Sequence, residues 1–288
     1  MTVENIVLVT GASGRTGRAC VARLLDKGAS LRAFVRREAA AVELRAQGVM
    51  EVVVGDMFAP DAMTRALEGV HAVLHICPPM HPQEDELAIE MIARAKEAVV
   101  RRFVLWSVLH PHIDVPHHRR KFRAESALID SGLAFTILQP CRYMQHLETI
   151  WPQIRATGVH SFPFSTKSRF SLAHIDDLAS AAANILMSNG HENAVYELAG
   201  PDALSQDDCA SIIAEVTGRN VRAERASLEI FLNKARAAEM PEWRIETLRV
   251  MNAHYDLHGL NGNGNVLGWL LGRPARTFRD YVSEFEAR

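Results

Sequence analysis

The chain has 288 residues, of which 48% are hydrophobic and 23% are charged, and its formal net charge at pH 7 is −2. This composition is typical of a globular protein with a large core, and the balanced charge argues against a nucleic-acid-binding surface. The predicted first strand begins so close to the N-terminus that no signal peptide would fit, and no apolar run has the length of a membrane helix. We therefore expect a cytoplasmic protein without nucleic-acid or membrane partners.

The cysteine and histidine spacing predicts neither a disulfide framework nor a metal site. Cys20, Cys77, Cys141 and Cys209 are far apart and form no C-x-x-C pair, so we expect reduced thiols. The histidines between residues 110 and 118 lack carboxylate or thiolate partners at a recognised metal-ligand spacing.

The first predicted elements are a strand, a glycine-rich turn and a helix. The apolar residues 6–9 and Thr10 run directly into a turn with Gly11, Gly14 and Gly17. In such a turn the first glycine permits the tight bend, the second lets a pyrophosphate approach the backbone, and the third lets the helix pack against the strand. The helix N-terminus adds N–H donors and a partial positive charge. The sequence therefore predicts a dinucleotide site, which also contains Ser13, Arg15 and Thr16.

The second predicted strand indicates which nucleotide binds. It ends at Arg36, followed by Arg37, where NAD-binding folds usually carry an acid for the ribose hydroxyls. A guanidinium can bind a 2′-phosphate through two charge-assisted hydrogen bonds, so NADP(H) is favoured over NAD(H). Asp56 could accept from the adenine amino group with Met57 stacking nearby, or Asp56 could only cap the following turn.

Strands and helices alternate through the first half of the chain, which predicts a Rossmann-type α/β fold, a doubly wound parallel sheet with helices on both faces. The predicted strands cover residues 6–10, 31–36, 51–54, 72–76, 103–107, 135–138 and 194–198. The predicted helices cover residues 15–27, 38–47, 60–68, 83–98 and 118–131. Ser205 and Asp208 form a predicted capping box for a helix that ends at Thr217, and the residues from about 227 on should be largely helical.

This pattern divides the chain into a dinucleotide-binding domain over residues 1–155 and a smaller, mostly helical C-terminal substrate region over residues 156–288. The strand near residues 194–198 is expected to return to the main sheet. In open α/β sheets, ligands bind outside the carboxyl ends of the strands, where this chain carries small or polar residues. The candidates for contact with the cofactor there are Cys77, Ser107 and Pro140. The candidates for contact with the substrate are Leu109, Cys141, Tyr143, Met144, Trp243 and Tyr255.

Several blocks of the chain resemble the NmrA-like group of atypical short-chain dehydrogenase/reductases. They are residues 11–17, the Gly55-Asp56 turn, residues 118–140 with Lys121 and Glu125, and residues 196–201. The resemblance implies NAD(P) binding on a Rossmann fold. It leaves the activity open, because the group includes quinone and aromatic-compound reductases, tailoring enzymes of aromatic polyketides, and redox sensors that bind gene regulators.

The resemblance also implies catalytic residues. The wider superfamily pairs a tyrosine, which gives a proton to the substrate oxygen, with a lysine four residues later that holds the nicotinamide ribose. Here Lys121 matches the lysine, and His117 stands in the place of the tyrosine. His117 could instead be an ordinary surface residue, with only Lys121 touching the cofactor.

The missing tyrosine bears on the substrate. Hydride transfer to an isolated ketone leaves a strongly basic alkoxide that needs a positioned acid, whereas a quinone leaves a delocalised oxyanion that water or a neutral imidazole can protonate. We therefore expect an NADP(H)-dependent oxidoreductase acting on a quinone or a polycyclic, polyketide-like aromatic compound. Two alternatives stay open: a non-catalytic redox sensor, and monooxygenase-like oxidation of a hydroanthraquinone. A homodimer is compatible with the sequence.

Overall fold

The computed structural model describes residues 5–286 and divides the chain into two compact units. The first unit contains the residues up to His112, His118–Gln139 and Ala179–Tyr196. The second contains Ile113–His117, Pro140–Leu178 and the residues from Glu197 on.

The first part of the chain alternates strands and helices as the sequence predicts. Its strands are β1 (Val7–Thr10), β2 (Leu31–Val35), β3 (Glu51–Val54), β4 (Ala72–His75), β5 (Arg102–Trp106) and β6 (Phe135–Pro140). Its helices are α1 (Arg15–Asp26), α2 (Glu38–Ala46), α3 (Pro60–Leu67), α4 (Glu84–Glu97) and α5 (Pro116–Asp130).

The later part contains short strands and most of the remaining helices. The strands are β7 (Arg142–Tyr143), β8 (Val159–Phe162), β9 (Phe170–Ala173), β10 (Ala194–Leu198), β11 (Ala203–Leu204) and β12 (Arg222–Arg225). The helices are α6 (Leu147–Thr157), α7 (Ile175–Met187), α8 (Gln206–Thr217), α9 (Leu228–Ala237), α10 (Glu242–His258), α11 (Asn265–Leu271) and α12 (Phe278–Glu286).

The main sheet has seven strands in the order β3-β2-β1-β4-β5-β6-β10, which confirms the predicted α/β fold. The pairs β2/β3, β1/β2, β1/β4, β4/β5 and β5/β6 are parallel. Every residue of β1 and β4 is buried, as expected for central strands with helices on both faces. The strand order reverses between β1 and β4, and in doubly wound sheets the ligand crevice opens at this point.

The second unit is built around two small sheets. One has the order β11-β9-β7, with Arg142 opposite Leu172, and the other pairs β8 with β12 in parallel. The capping box of α8 is confirmed, since Ser205 accepts from the backbone N–H of Asp208 and the Asp208 carboxylate accepts from that of Ser205. The short strands between residues 141 and 173 are not among the predicted elements.

The two units are interleaved along the chain. The predicted boundary at residue 155 falls inside α6. The chain passes from one unit to the other after residues 112, 117, 139, 178 and 196. β10 lies beside β6 in the main sheet, so residues far along the chain complete the first unit.

Candidate active site

The glycine turn between β1 and α1 has the close backbone packing that a phosphate-binding turn requires. Gly11 has φ +60°, and a Cβ on it would lie 2.6 Å from the carbonyl oxygen of Ile76. A Cβ on Gly17 would lie only 2.2 Å from the carbonyl oxygen of Gly11. The N-cap of α1 is Gly14, no side chain caps the helix, and its first turn contains no acidic residue. The turn therefore presents an uncapped helix N-terminus that fits an anion such as a pyrophosphate.

The predicted nucleotide-selecting residues lie at the ends of β2 and β3. Arg36 is exposed and makes no hydrogen bond or ion pair with any residue in the described range 5–286. Oδ1 of Asp56 accepts a hydrogen bond from the backbone N–H of Phe58 at 3.1 Å, so this side chain does cap its own turn. Met57 packs against the apolar core of the unit. The contacts of Arg36, Asp56 and Met57 with a nucleotide stay predictions.

Lys121 lies in a row of buried polar groups at the carboxyl ends of β4, β5 and β6. Its Nζ is 2.8 Å from Oε1 of Glu84 and donates a hydrogen bond to the carbonyl oxygen of Trp106 at 3.1 Å. Lys121 is 5% exposed and Glu84 1%. Burial disfavours the ammonium, but the adjacent Glu84 carboxylate more than offsets this and holds the pKa of Lys121 above its ordinary value. These two contacts fix the ammonium, and its third N–H has no hydrogen-bond acceptor among residues 5–286.

Glu125 lies one helical turn after Lys121 and forms the second half of this row. Its carboxylate accepts a hydrogen bond from the Ser107 hydroxyl and two from the Gln139 amide, at 2.9 and 3.1 Å. Burial raises the pKa of Glu125 to about 6, against the opposing effect of these hydrogen bonds and of the Lys121 charge. Ser107 is therefore held by a carboxyl group that titrates close to neutral pH.

Glu125→Gln is expected to change how stability depends on pH. Glu125 holds its proton more tightly in the folded protein than in the unfolded chain. Its contribution to the free energy of unfolding is therefore full below about pH 4.5 and is lost as the pH rises through about 6. The loss is about 2 kcal/mol. Urea unfolding between pH 4 and 7.5 should show this decline in the wild type and in Asp130→Asn, an exposed carboxyl on the same helix. Persistence of the full decline in Glu125→Gln would assign it to another group.

The other predicted cofactor and catalytic residues are close in sequence to members of this group of buried polar residues. The Cys77 thiol is buried and donates to the carbonyl oxygen of Glu84, and burial raises its pKa to about 12. Helix α5 begins at Pro116, two residues before the predicted start at residue 118, so it includes His117 one turn before Lys121. Pro140 is the last residue of β6, and Leu109, a predicted substrate contact, is fully buried in the first unit.

The second unit contains a pocket with aromatic walls. It encloses about 380 Å³ of space, part of it open to solvent, and Tyr143 and Met144 are in its lining. Tyr255 packs edge-to-face on Phe170, a wall residue, with ring centroids 5.4 Å apart. The Cys141 thiol is buried, with its pKa raised by burial to about 12. Trp243 lies on α10, outside the pocket lining.

Sequence reasoning missed Glu84 and the buried His160, and it gave no role to Arg142, which directly follows the candidates Pro140 and Cys141. Glu84 is one of three consecutive acids that open α4, and such acids usually indicate only a favourable helix-dipole contact. The i, i+4 spacing of Lys121 and Glu125 is a signal that could have identified Glu125 as part of the site.

The glycine turn, the parallel sheet and the buried lysine agree with a match to a family model. The NmrA-like family model covers residues 4–284. The chain belongs to the NmrA-like family. The predicted family resemblance is thereby confirmed.

Relatives of known activity cover nearly the whole chain. An NAD(P)H azoreductase of Xenophilus azovorans is 30% identical over 284 residues, 98% of each chain. Quinone oxidoreductase 2 of Escherichia coli is 27% identical over 281 residues, 96% of this chain and 98% of the relative. The crystal structure of the E. coli quinone oxidoreductase QOR2 with NADPH matches with a TM-score of 0.87 and 27% identity, covering 97% of this chain and 99% of the other.

These matches support the expected enzyme class. The chain is an NAD(P)-dependent oxidoreductase of the NmrA-like family. Within residues 5–286, no helix is long and apolar enough to cross a membrane. In the same range, no three His, Cys, Asp or Glu side chains group where they could hold a metal ion.

Proposed function

We propose that this chain transfers a hydride from NADPH to a quinone or a related flat aromatic acceptor. The observation that carries the proposal is the buried Lys121 ammonium, fixed by Glu84 and by the Trp106 carbonyl oxygen with one N–H left over. The azoreductase and quinone reductase among the relatives support an aromatic acceptor. A polycyclic, polyketide-like acceptor is a narrower form of the same proposal.

The bound nicotinamide supplies the hydride, and the protein positions the reacting groups. Lys121 would hold the nicotinamide ribose through its remaining N–H, and the position of its ammonium is set by two contacts that do not depend on the cofactor. One turn earlier the chain carries His117, where the wider superfamily carries its proton-donating tyrosine. A quinone suits this arrangement, because the oxyanion it leaves is delocalised and needs no strong acid beside it.

NADPH is proposed as the preferred cofactor because the exposed Arg36 guanidinium has no partner among residues 5–286. Only NADPH has a 2′-phosphate that this group could bind through two hydrogen bonds.

Arg36→Ala should raise the Kd of NADPH about 10-fold and that of NADH less than 2-fold, since a single charge-assisted pair is at stake. Arg37→Ala is the matched control, because Arg37 is also exposed and directly follows Arg36. Fluorescence titration of both cofactors against all three proteins measures the difference. Equal losses for the two cofactors in Arg36→Ala would remove Arg36 from this role.

The activity itself is tested by following NADPH consumption with a panel of quinones and azo compounds, with and without oxygen. Turnover without oxygen supports the reductase proposal. Consumption that requires oxygen would favour monooxygenase-like oxidation. Tight NADPH binding with no consumption across the panel would favour the redox-sensor alternative.

A further inference from the structure

The pocket of the second unit contains a cation that none of the described carboxylates pairs with. Arg142 is half-buried, and its Cζ lies 4.1 Å from the ring centroid of Phe162, 5.0 Å from that of Phe164 and 5.4 Å from that of Phe170. No Asp or Glu in the range 5–286 forms an ion pair with Arg142, although most other arginines there have one. The guanidinium is therefore supported by ring faces and keeps its N–H donors for another partner.

The charge of Arg142 persists at neutral pH. Burial lowers the pKa of Arg142 to about 10, and the ionisable groups that act on it are Tyr255 and Cys209. Burial also raises the pKa of both of these groups to about 12, so neither is an anion at pH 7. The pocket thus holds a net positive charge without a counter-charge of its own.

The acids on neighbouring elements are engaged elsewhere. The Asp208 carboxylate accepts from Ser205 and pairs with Arg169. Asp256 pairs with Arg225 and accepts from the backbone of Ser165. Asp207 pairs with Lys167. A shift of any of them towards Arg142 would break contacts that already exist.

His160 adds a second polar group to the same pocket. It is 4% exposed, and its Nδ1 has no hydrogen-bond partner within the described part of the chain. Burial and the Arg142 charge lower the pKa of His160 to about 4, so the ring is neutral at pH 7. A neutral imidazole with a buried, unsatisfied nitrogen costs free energy until a ligand or a water supplies the partner.

The walls that carry these groups are held in place by hydrogen bonds and ring stacking. Gln206 is buried, accepts from the backbone N–H of Phe162 at 2.8 Å and donates to the carbonyl oxygen of Phe164 at 2.7 Å. The rings of Phe162 and Phe164 stack with an interplanar angle of 1°. The aromatic surface and the cation are therefore preorganised before any ligand arrives.

We propose that this pocket binds an acidic substituent, a carboxylate or a sulfonate, on an aromatic ligand, with Arg142 pairing with the anion and His160 contributing a hydrogen bond. Arg142 follows Gln139 of the Lys121–Glu125 row by three residues in the sequence. The ligand class assigned to the pocket is the substrate, so the inference rests on the proposed reductase function. It adds that the enzyme prefers acidic aromatic acceptors over neutral ones of the same shape.

The test compares 1,4-naphthoquinone-2-sulfonate and 1,4-naphthoquinone-2-carboxylate with the neutral 2-methyl-1,4-naphthoquinone. The measured quantity is the ratio of kcat/KM for each acid to that for the neutral quinone, so intrinsic acceptor reactivity cancels between protein variants. Arg142→Met should lower both ratios at least 10-fold relative to the wild type, and Arg142→Lys should lower them less. Arg222→Met, which removes an exposed arginine of the same unit, should leave the ratios unchanged.

Direct binding separates failure of this inference from failure of the proposed function. Calorimetric titration of the three quinones into the NADP⁺-loaded proteins needs no turnover. Binding of the acids that depends on Arg142 without any NADPH consumption would uphold the pocket assignment and refute the reductase. Turnover with ratios that Arg142→Met does not change would overturn the inference and leave the reductase standing. Loss of NADPH affinity in Arg142→Met as large as the loss for the acids would assign the anion to the cofactor and also overturn it.

Discussion

Lys121→Met should lower kcat/KM with a quinone about 100-fold and lower the free energy of unfolding by about 3 kcal/mol. The stability loss arises because Glu84, 1% exposed, would keep a buried charge whose ion-pair partner is gone. The activity loss follows from the proposed role of the ammonium in holding the nicotinamide ribose. Urea unfolding and steady-state NADPH oxidation measure the two effects separately.

A double variant distinguishes the two causes. Lys121→Met combined with Glu84→Gln removes both charges, so most of the lost stability should return, because a neutral pair in the interior costs far less than one uncompensated charge. Turnover should stay low, since no ammonium faces the cofactor. Recovery of turnover together with stability would show that Lys121 acts only by supporting the fold.

His117→Phe changes the second predicted catalytic residue of helix α5, and we expect a much smaller loss of activity than for Lys121→Met. A delocalised quinone oxyanion has little need of a dedicated acid, so this variant should lose no more than about 3-fold in kcat/KM. A complete loss with intact folding would make His117 the general acid and would contradict the argument for a quinone substrate.

Gly17→Ala should lower the free energy of unfolding by about 3 kcal/mol, the upper range for overpacking a core. The added Cβ would lie 2.2 Å from the carbonyl oxygen of Gly11 and 2.7 Å from the Cα of Ala12, and both are backbone atoms. Removing this steric overlap requires α1 to move away from β1, and that movement also disrupts the glycine turn. Chemical unfolding and NADPH titration of the variant should therefore both show large losses.

Gly14→Val tests the nucleotide site with a milder steric conflict than Gly17→Ala introduces. At Gly14 the nearest atom to an added Cβ is 3.3 Å away, and the backbone has an extended conformation that other residues adopt. The variant should melt within a few degrees of the wild type, yet lose the increase in Tm that NADPH gives, because the side chain blocks approach to the turn. A retained NADPH shift would place the nucleotide elsewhere.

The sequence predicts the main sheet well because its signals are local. Apolar runs such as Val7–Thr10 and closing glycines such as Gly28 mark each element without reference to the rest of the chain. The same holds for the capping box of Ser205 and Asp208. The glycine turn is also found this way, because its spacing is fixed within one strand–turn–helix unit, whereas Lys121 is indicated by the family resemblance of residues 118–140.

The residues that contact Lys121 and Arg142 are distant from them in the sequence, so local sequence patterns do not identify these contacts. Glu84 meets Lys121 across 37 positions of the chain, as the two residue numbers show, and Arg142 meets Phe162, Phe164 and Phe170 only because β7, β8 and β9 fold together. β7 has only two residues, and β8 and β9 mix polar with apolar positions, so they lack the continuous apolar run that marks the equally short β1. The charge state of Glu125 likewise depends on burial that spacing cannot reveal.

The position of β10 beside β6 affects how the protein can be made. Thr136 donates to the carbonyl oxygen of His191 at 2.7 Å, and the backbone N–H of Asn193 donates to the carbonyl oxygen of Phe135 at 2.7 Å. During synthesis these hydrogen bonds cannot form until the segment that contains β10 has left the ribosome. Until then β6 is an open edge that can pair with another nascent chain. Truncated versions that stop before β10 should therefore aggregate instead of yielding a free nucleotide-binding fragment.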